Sequence, residues 1–416
     1  MSSQKLFALV LLTNAVACHN GGNKAESTTP AQAETSAGDE QLTPDEARAI
    51  AKDAYIFNYP LVMMYRTMYL QAIDTKSESY SGGFGEWLHL GTSSPKDTDI
   101  VSPNNDSPYS YAWVDLRAEP WVVTLPRIEK SRFYTSQWDD LWGFVLDNPG
   151  SVEDGNDGVS VLLASPTWEG KLPKGVKRVI QGDSSFLGTL TRTQLFDPED
   201  LPNVEKIQKQ YKLQPLSTYL GRTAPEPAPA IEWKPWKDGV ETTDEFWAYV
   251  NFLLPFTTPN PQDKPVQDRM AKMGLVPGEA WDSSALGTDV SAAIAEGMKD
   301  ALAELKKGST HITDPSLFFR SRKDLDKDYF NRALGVMVGI FGNVKKVSVY
   351  FAVPKDDQGE LESSLTAARA TTRSHSLRIR SHLRRTSGPG PCTSSPNAGW
   401  STILSIAIPS AAPRPG

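Results

Sequence analysis

From Ser107 to about Arg192 the chain consists of short runs rich in β-branched and aromatic residues, separated by Gly, Pro, Asn and Asp. The runs are Tyr109–Leu116, Trp121–Leu125, Phe133–Trp138, Val159–Ala164 and Lys177–Ile180. Each is too short for a helix, and turn residues bound each one, so this stretch predicts an antiparallel sheet. Helical spacing flanks it. Thr43-Pro44-Asp45-Glu46 opens a helix with a cap, a proline suited to the first turn and a capping-box glutamate. Apolar residues then recur at Ala47, Ile50, Ala51, Ala54 and Phe57. Pro60 predicts a kink or stop before Val62–Tyr69 resumes the helix. Asp197-Pro198-Glu199-Asp200 starts another helix, and helical stretches follow at about 243–254, 262–274, 287–306 and 326–341 before Lys346–Val353 returns to strand.

The fold class expected is α+β. A mainly antiparallel β domain with helical additions (42–221) precedes a linker and helical region (222–325) and the start of a second β domain (326–362). Residues 1–18 carry one charge, Lys5, a short apolar run, Leu6–Leu12, and Ala15-Val16-Ala17 before Cys18. The run is too short to span a bilayer and reads as an export signal. Cys18 stands where a lipobox cysteine would be lipidated, although Ala15 replaces the usual Leu; the alternative is an ordinary signal cut after Ala17. Residues 19–41 hold almost nothing apolar and read as a flexible tether. The expected location is therefore the bacterial envelope, periplasmic or anchored to the outer membrane. Contact with the membrane is expected through the lipid alone.

Formal charge is −7, which disfavours a nucleic-acid partner. Two cysteines make no disulfide scaffold, and no pair among the five histidines has zinc-site spacing. Phosphate loops and nucleophile elbows are absent from the sequence, so neither a metal nor a cofactor is expected. The densest polar-aromatic segment is Ser102–Leu116. Asn104, Asn105 and Asp106 precede a strand on which Tyr109, Tyr111, Trp113 and Asp115 alternate onto one face. A second such segment, Phe133–Trp142, holds Tyr134, Gln137, Trp138, Asp139 and Asp140. Side by side, the two would bring Asp106, Asp115, Gln137, Asp139 and Asp140 to one aromatic-lined surface suited to a small polar organic molecule. Arg192 and Arg332 are candidate carboxylate partners. Asp106, Asp115 and Asp139 are the candidate catalytic carboxylates, a pair of which would serve acid–base chemistry. The bland reading makes Asn104–Asp106 a turn that bonds its own backbone, and Arg192 and Arg332 structural ion pairs.

These blocks resemble a two-part bacterial family whose halves are called domains of unknown function 1254 (N-terminal) and 1214 (C-terminal). The resemblance rests on Ala54–Leu61, Ser102–Leu116, Phe133–Asp139, Arg192–Phe196 and Gln208–Leu220. For the second half it rests on Tyr329–Asn343, with Arg332, Gly339, Gly342 and Asn343, and on Val349-Tyr350. It implies β-rich domains with helical additions and supplies no catalytic role, so enzyme status and oligomeric state stay open. Two functions compete: an exported enzyme or binding protein for a small polar molecule, and a non-catalytic envelope protein whose β domains mediate contacts.

After Glu362 no acidic residue occurs, while seven arginines do. A basic arm and a disordered tail are two readings of 363–416. The resemblance supplies a third. The family's second half should continue past Gly359, and codons chosen for Leu365–Ser410, read in another frame, spell its missing motifs in order. The tail is thus expected to be frame-shifted near 361–365 and disordered, with its one strand-like run, Ile403–Ile408, standing alone. Sequencing the gene against close relatives should reveal a single-base insertion or deletion near codons 361–365; relatives with the same Arg-rich tail in frame would restore the basic arm. Cys18→Ser should move the protein out of the detergent-dependent membrane fraction, whereas unchanged fractionation would exclude the lipid anchor.

Overall fold

The computed structural model describes residues 42–92, 106–310, 312, 314–352 and 403–407. The expected signal, tether and Cys18, together with Asn104, Asn105 and most of the Arg-rich tail, lie outside the described residues.

Helix α1, Pro44–Met68, starts as the capping pattern predicts: Thr43 Oγ1 accepts the Glu46 N–H at 3.3 Å, and Asp45 and Glu46 sit in the first turn. It does not stop at Pro60. One helix runs through the proline and continues as a π-helical turn, Tyr69–Ile73. Both flanks of Pro60 are buried, and packing on both sides overrides the one backbone bond a proline removes.

Three sheet strands carry the first face: β2 (Tyr109–Asp115), β4 (Tyr134–Asp140) and β8 (Phe186–Thr193). With β1 (Leu88–His89) and β5 (Val145–Asp147) they form a five-stranded sheet ordered β1-β2-β8-β4-β5, and all its pairs are antiparallel. A four-stranded sheet, β7-β6-β3-β9, joins β3 (Trp121–Leu125), β6 (Val159–Ala164), β7 (Val179–Gln181) and β9 (Lys212–Pro215). Within it only β6–β7 is parallel.

Period two divides the five-stranded sheet between two cores. Val114, Leu116, Tyr134, Trp138 and Leu187 pack on Val123, Leu125, Val161, Leu163 and Ile180 of the second sheet. Tyr109, Tyr111, Trp113, Phe186 and Leu190 face the helices instead. That helical layer is α1 with α4 (Glu245–Leu253), α5 (Lys264–Ala271), α6 (Thr288–Ser309) and α8 (Tyr329–Gly339); short helices α2 (Leu201–Gln208), α3 (Leu216–Leu220) and α7 (Arg322–Leu325) complete the set. Helix α6 lies close on α1 because Gly297 has no side chain: a Cβ there would stand 2.2 Å from the Arg48 carbonyl oxygen. No helix among the described residues is long and apolar enough to cross a membrane.

The chain is thus α+β, with helices on one face of an antiparallel sheet and a second sheet on the other. One expectation fails at its end. The run from Ile403 does not stand alone: strand β10 (Ser348–Ala352) pairs antiparallel with β11 (Ile403–Ala407), Ser348 opposite Ala407 and Ala352 opposite Ile403.

Candidate functional site

The two aromatic strands do not lie side by side. Strand β8 runs between them, and the register Trp113↔Gly188↔Asp139 aligns all three. Gly188 is what lets Trp113 lie flat across the central strand, since a Cβ there would come within 2.7 Å of the indole. The Trp113 Nε1–H donates to Gln71 Oε1 of the π-helical turn at 2.8 Å. The helix-facing side of this register therefore shows Tyr109, Tyr111 and Trp113 from β2, Arg192 from β8, and Thr135, Gln137 and Asp139 from β4.

The segment after α8 closes over that face. Gln137 Nε2 donates to the Gly342 carbonyl at 2.9 Å and to both oxygens of Asp139 at 2.9 and 3.2 Å. Arg192 Nη1 donates to Ser348 Oγ at 3.0 Å, and its Nη2 donates to the Phe341 carbonyl at 3.3 Å. Asn343 Nδ2 donates to Asn148 Oδ1 at 2.7 Å. Phe341 itself adopts φ 62°, a left-handed conformation costly for a non-glycine residue, and its ring lies tilted against those of Tyr111 and Trp113, centroids 6.4 and 6.1 Å away. Gly342 must be glycine because a Cβ would fall 2.1 Å from the Phe319 ring.

Beneath this closure is a cavity of about 10 Å³, room for roughly one water molecule. Gln137 and Asp139 line it from the sheet, Met64 from α1, and Arg332, Gly335 and Gly339 from α8. Gln137 Oε1 is buried without a hydrogen-bond partner, as are Arg332 Nε and Nη1. The third Arg332 nitrogen, Nη2, donates to the Phe57 carbonyl at 2.7 Å. Four rings surround the guanidinium, Phe57, Trp142, Phe144 and Tyr329, with centroids 5.0–5.5 Å from Cζ. Burial and the nearby Arg322 charge pull Arg332 down to about 10. Burial pushes the Asp139 carboxyl well above the usual carboxylate range, against the bonds from Gln137.

The candidate residues are thus only partly brought together. Gln137, Asp139 and Arg332 meet at the cavity, with Arg192 and the aromatics of β2 beside it. Asp115 does not join them. It lies two register positions beyond Trp113 and forms an ion pair with Arg117 at 2.7 Å, which meets the partner requirement locally. Asp106 is exposed ahead of β2, where its carbonyl accepts the Leu195 N–H. Asp140 points to the opposite face; its carboxylate accepts the backbone N–H groups of Trp142, Phe144 and Asp183, a turn-building role. Tyr134 and Trp138 also belong to the opposite face and pack between the sheets, where the Tyr134 hydroxyl donates to the Gly155 carbonyl and Trp138 Nε1–H to Ser136 Oγ. No carboxylate pair assembles among Asp106, Asp115 and Asp139. Among the described residues no group of His, Cys, Asp and Glu could hold a metal ion.

Residues 84–215 match the model of a family described as "Protein of unknown function (DUF1254)". That span holds every β strand of the two large sheets and none of the helical cover that carries Arg332. No protein of curated function matches the sequence. Among solved structures, the VPA0106 protein from Vibrio parahaemolyticus is similar over 76% of this chain and 73% of its own, at 22% identity and a TM-score of 0.62. A putative uncharacterized protein from Burkholderia cenocepacia aligns over 72% of this chain and 62% of its own at 13% identity, with a TM-score of 0.27. The first likeness shows that the fold recurs.

The protonation of the β4 acids should be legible in stability. Asp139 and Asp140, the latter raised to about 6 chiefly by burial, hold protons in the folded protein that the unfolded chain releases near pH 4. The folded state binds more protons in that interval, so stability falls as pH rises from about 4 through the folded values. Asp139→Asn removes its share. Urea midpoints between about pH 4 and 8 should therefore fall less in the variant than in the wild type, with its relative advantage greatest at the alkaline end. Parallel curves would show that Asp139 is ionised in the fold.

Proposed function

We propose that this chain is an exported, lipid-anchored protein that binds a small polar organic molecule at the Gln137–Asp139–Arg332 cavity. The observation that carries the reading is the set of unsatisfied polar atoms there: a buried guanidinium with two free donors and a buried amide oxygen, gathered from elements far apart in sequence. Burying such groups without partners costs about 1–3 kcal/mol each, more when charged, and a bound molecule recovers that cost. Export and anchoring draw their support from the apolar run ahead of Cys18 and the polar tether behind it. Resemblance of Tyr329–Asn343 to a second, C-terminal family domain, and a reading frame lost near 361–365, belong to the same proposal; the acid-free, Arg-rich composition of 363–416 supports the latter.

A non-catalytic envelope protein is the competing reading. It is favoured by the closure itself, since four hydrogen bonds from Gln137, Arg192 and Asn343 seal the sheet face. A thermal-shift screen of small polar metabolites against the full chain separates the two. Binding predicts at least one compound that raises the melting temperature of the wild type and fails to do so in Gln137→Leu. No stabilising compound would leave the envelope-contact reading standing.

A further inference from the structure

Several guanidiniums among the described residues are substantially buried, and one of them, Arg192, donates to Ser348 Oγ and the Phe341 carbonyl. Arg132 bonds Asp200 through two nitrogens, at 2.6 and 2.9 Å, and also meets Glu129. Arg178 is held by Asp147 and Asp154. Arg322 pairs with Asp183 and with Asp263 at 2.9 Å. Arg332 is the most enclosed, 1% exposed, and no carboxylate among the described residues stands within ion-pair distance of it. Asp263, the acid that would be available, is already bound by Arg322 Nη1 and the Tyr329 hydroxyl, each at 2.9 Å. Asp139 lines the same cavity but is engaged by Gln137. Aromatic faces lower the cost of burying a cation without neutralising it, and they give the Nε and Nη1 hydrogens no acceptor oxygen.

We infer that the cavity takes an organic carboxylate, with Arg332 as the group that recognises its charge and Gln137 Oε1 accepting from a hydroxyl on the same molecule. The inference rests on the reading of this cavity as a binding site and names the class of molecule. A carboxylate supplies the acceptor oxygens and the negative charge that Arg332 lacks; a neutral sugar supplies only acceptors, and an amine would repel it. The neutral form of Asp139 that burial favours keeps a second negative charge away from the incoming anion. As it stands the cavity has room for about one water, less than a carboxylate group occupies, so the head of an acid enters only as the lining parts, and the smallest acids are the ones to test.

The probes are acetate and glycolate, with acetamide and glycolamide as their neutral counterparts, titrated into the full chain at fixed ionic strength and pH 7. Tryptophan fluorescence reports binding, since Trp142 lies 5.3 Å from the Arg332 Cζ, and the melting temperature reports it independently. Both acids should bind, glycolate more tightly, and the amides at least tenfold more weakly. Arg332→Met should weaken the acids at least tenfold, and Gln137→Leu should erase the advantage of glycolate over acetate. Should Arg332→Met fail to fold, Gln137→Glu serves in its place: a second carboxylate at the cavity should weaken the acids at least tenfold. Amides that bind as well as acids, with loss of both in these variants, would overturn the carboxylate and leave the binding site in place. Acids that bind equally to wild type and variants would place them elsewhere and overturn it too. If none of the four probes binds, and the wider metabolite screen is also silent, the site itself falls.

Discussion

Two backbone carbonyls, those of Phe341 and Gly342, tie the segment after α8 to the centre of the five-stranded sheet. Arg192 reaches the first from β8, and Gln137 reaches the second from β4. Both donors sit on the helix-facing side of their strands because β8 pairs with β4 in the register Arg192↔Thr135 and Leu190↔Gln137. A slip of one residue would turn every one of these side chains into the inter-sheet core and leave the carbonyls without donors. The same register lays Trp113 over Gly188, and a larger residue at 188 would lift the indole from the sheet. Position and closure of the cavity are therefore consequences of strand pairing more than of any local motif.

Much of the fold was legible as periodicity. Trp121–Leu125 and Val159–Ala164 are strands with the bounds their turn residues mark, and the cap at Thr43 starts α1. The central strand of the sheet, Phe186–Thr193, was harder to single out. Gly188 and its threonines make a weak apolar signal, because this strand trades bulk for the indole of Trp113 on one face and hydroxyl bonds on the other, such as Ser136 Oγ to Thr191 Oγ1 at 2.7 Å. Pro60 misled in the opposite sense: its local rule is sound, but tertiary packing holds the helix through it.

Alternation itself contained a correction to the expected site. Tyr134, Trp138 and Asp140 share parity along β4, and Gln137 and Asp139 have the other, so no flat strand could present all five to one ligand. Asp115 has the parity of Trp113 but lies at the strand end, where Arg117 two residues on can fold back to it. That pairing is local and readable. The partnership of β4 with α8 is not, because it joins residues 137 and 139 to residue 332 across almost two hundred positions, and only the completed helical layer brings them together.

The contrast among the buried arginines bears on what kind of place the cavity is. Arg132, Arg178 and Arg322 are each held by acids. Arg132 holds the 129–132 turn to the start of α2 through Asp200, whose carboxyl is kept well below the usual range chiefly by that bond. Arg322 joins the loop after β7 to the start of α5 through Asp183 and Asp263. In both cases the pair crosses between elements. Arg332 crosses between elements as well, from α8 to the Phe57 carbonyl of α1, yet a single neutral acceptor is all it has. A methionine or leucine of similar volume would fill an aromatic cage of this kind with no charge to bury. A purely structural account of position 332 therefore has to explain why the chain places its most enclosed cation where only π faces and one carbonyl answer it, beside a cavity whose other polar wall, Gln137, also carries an unused acceptor.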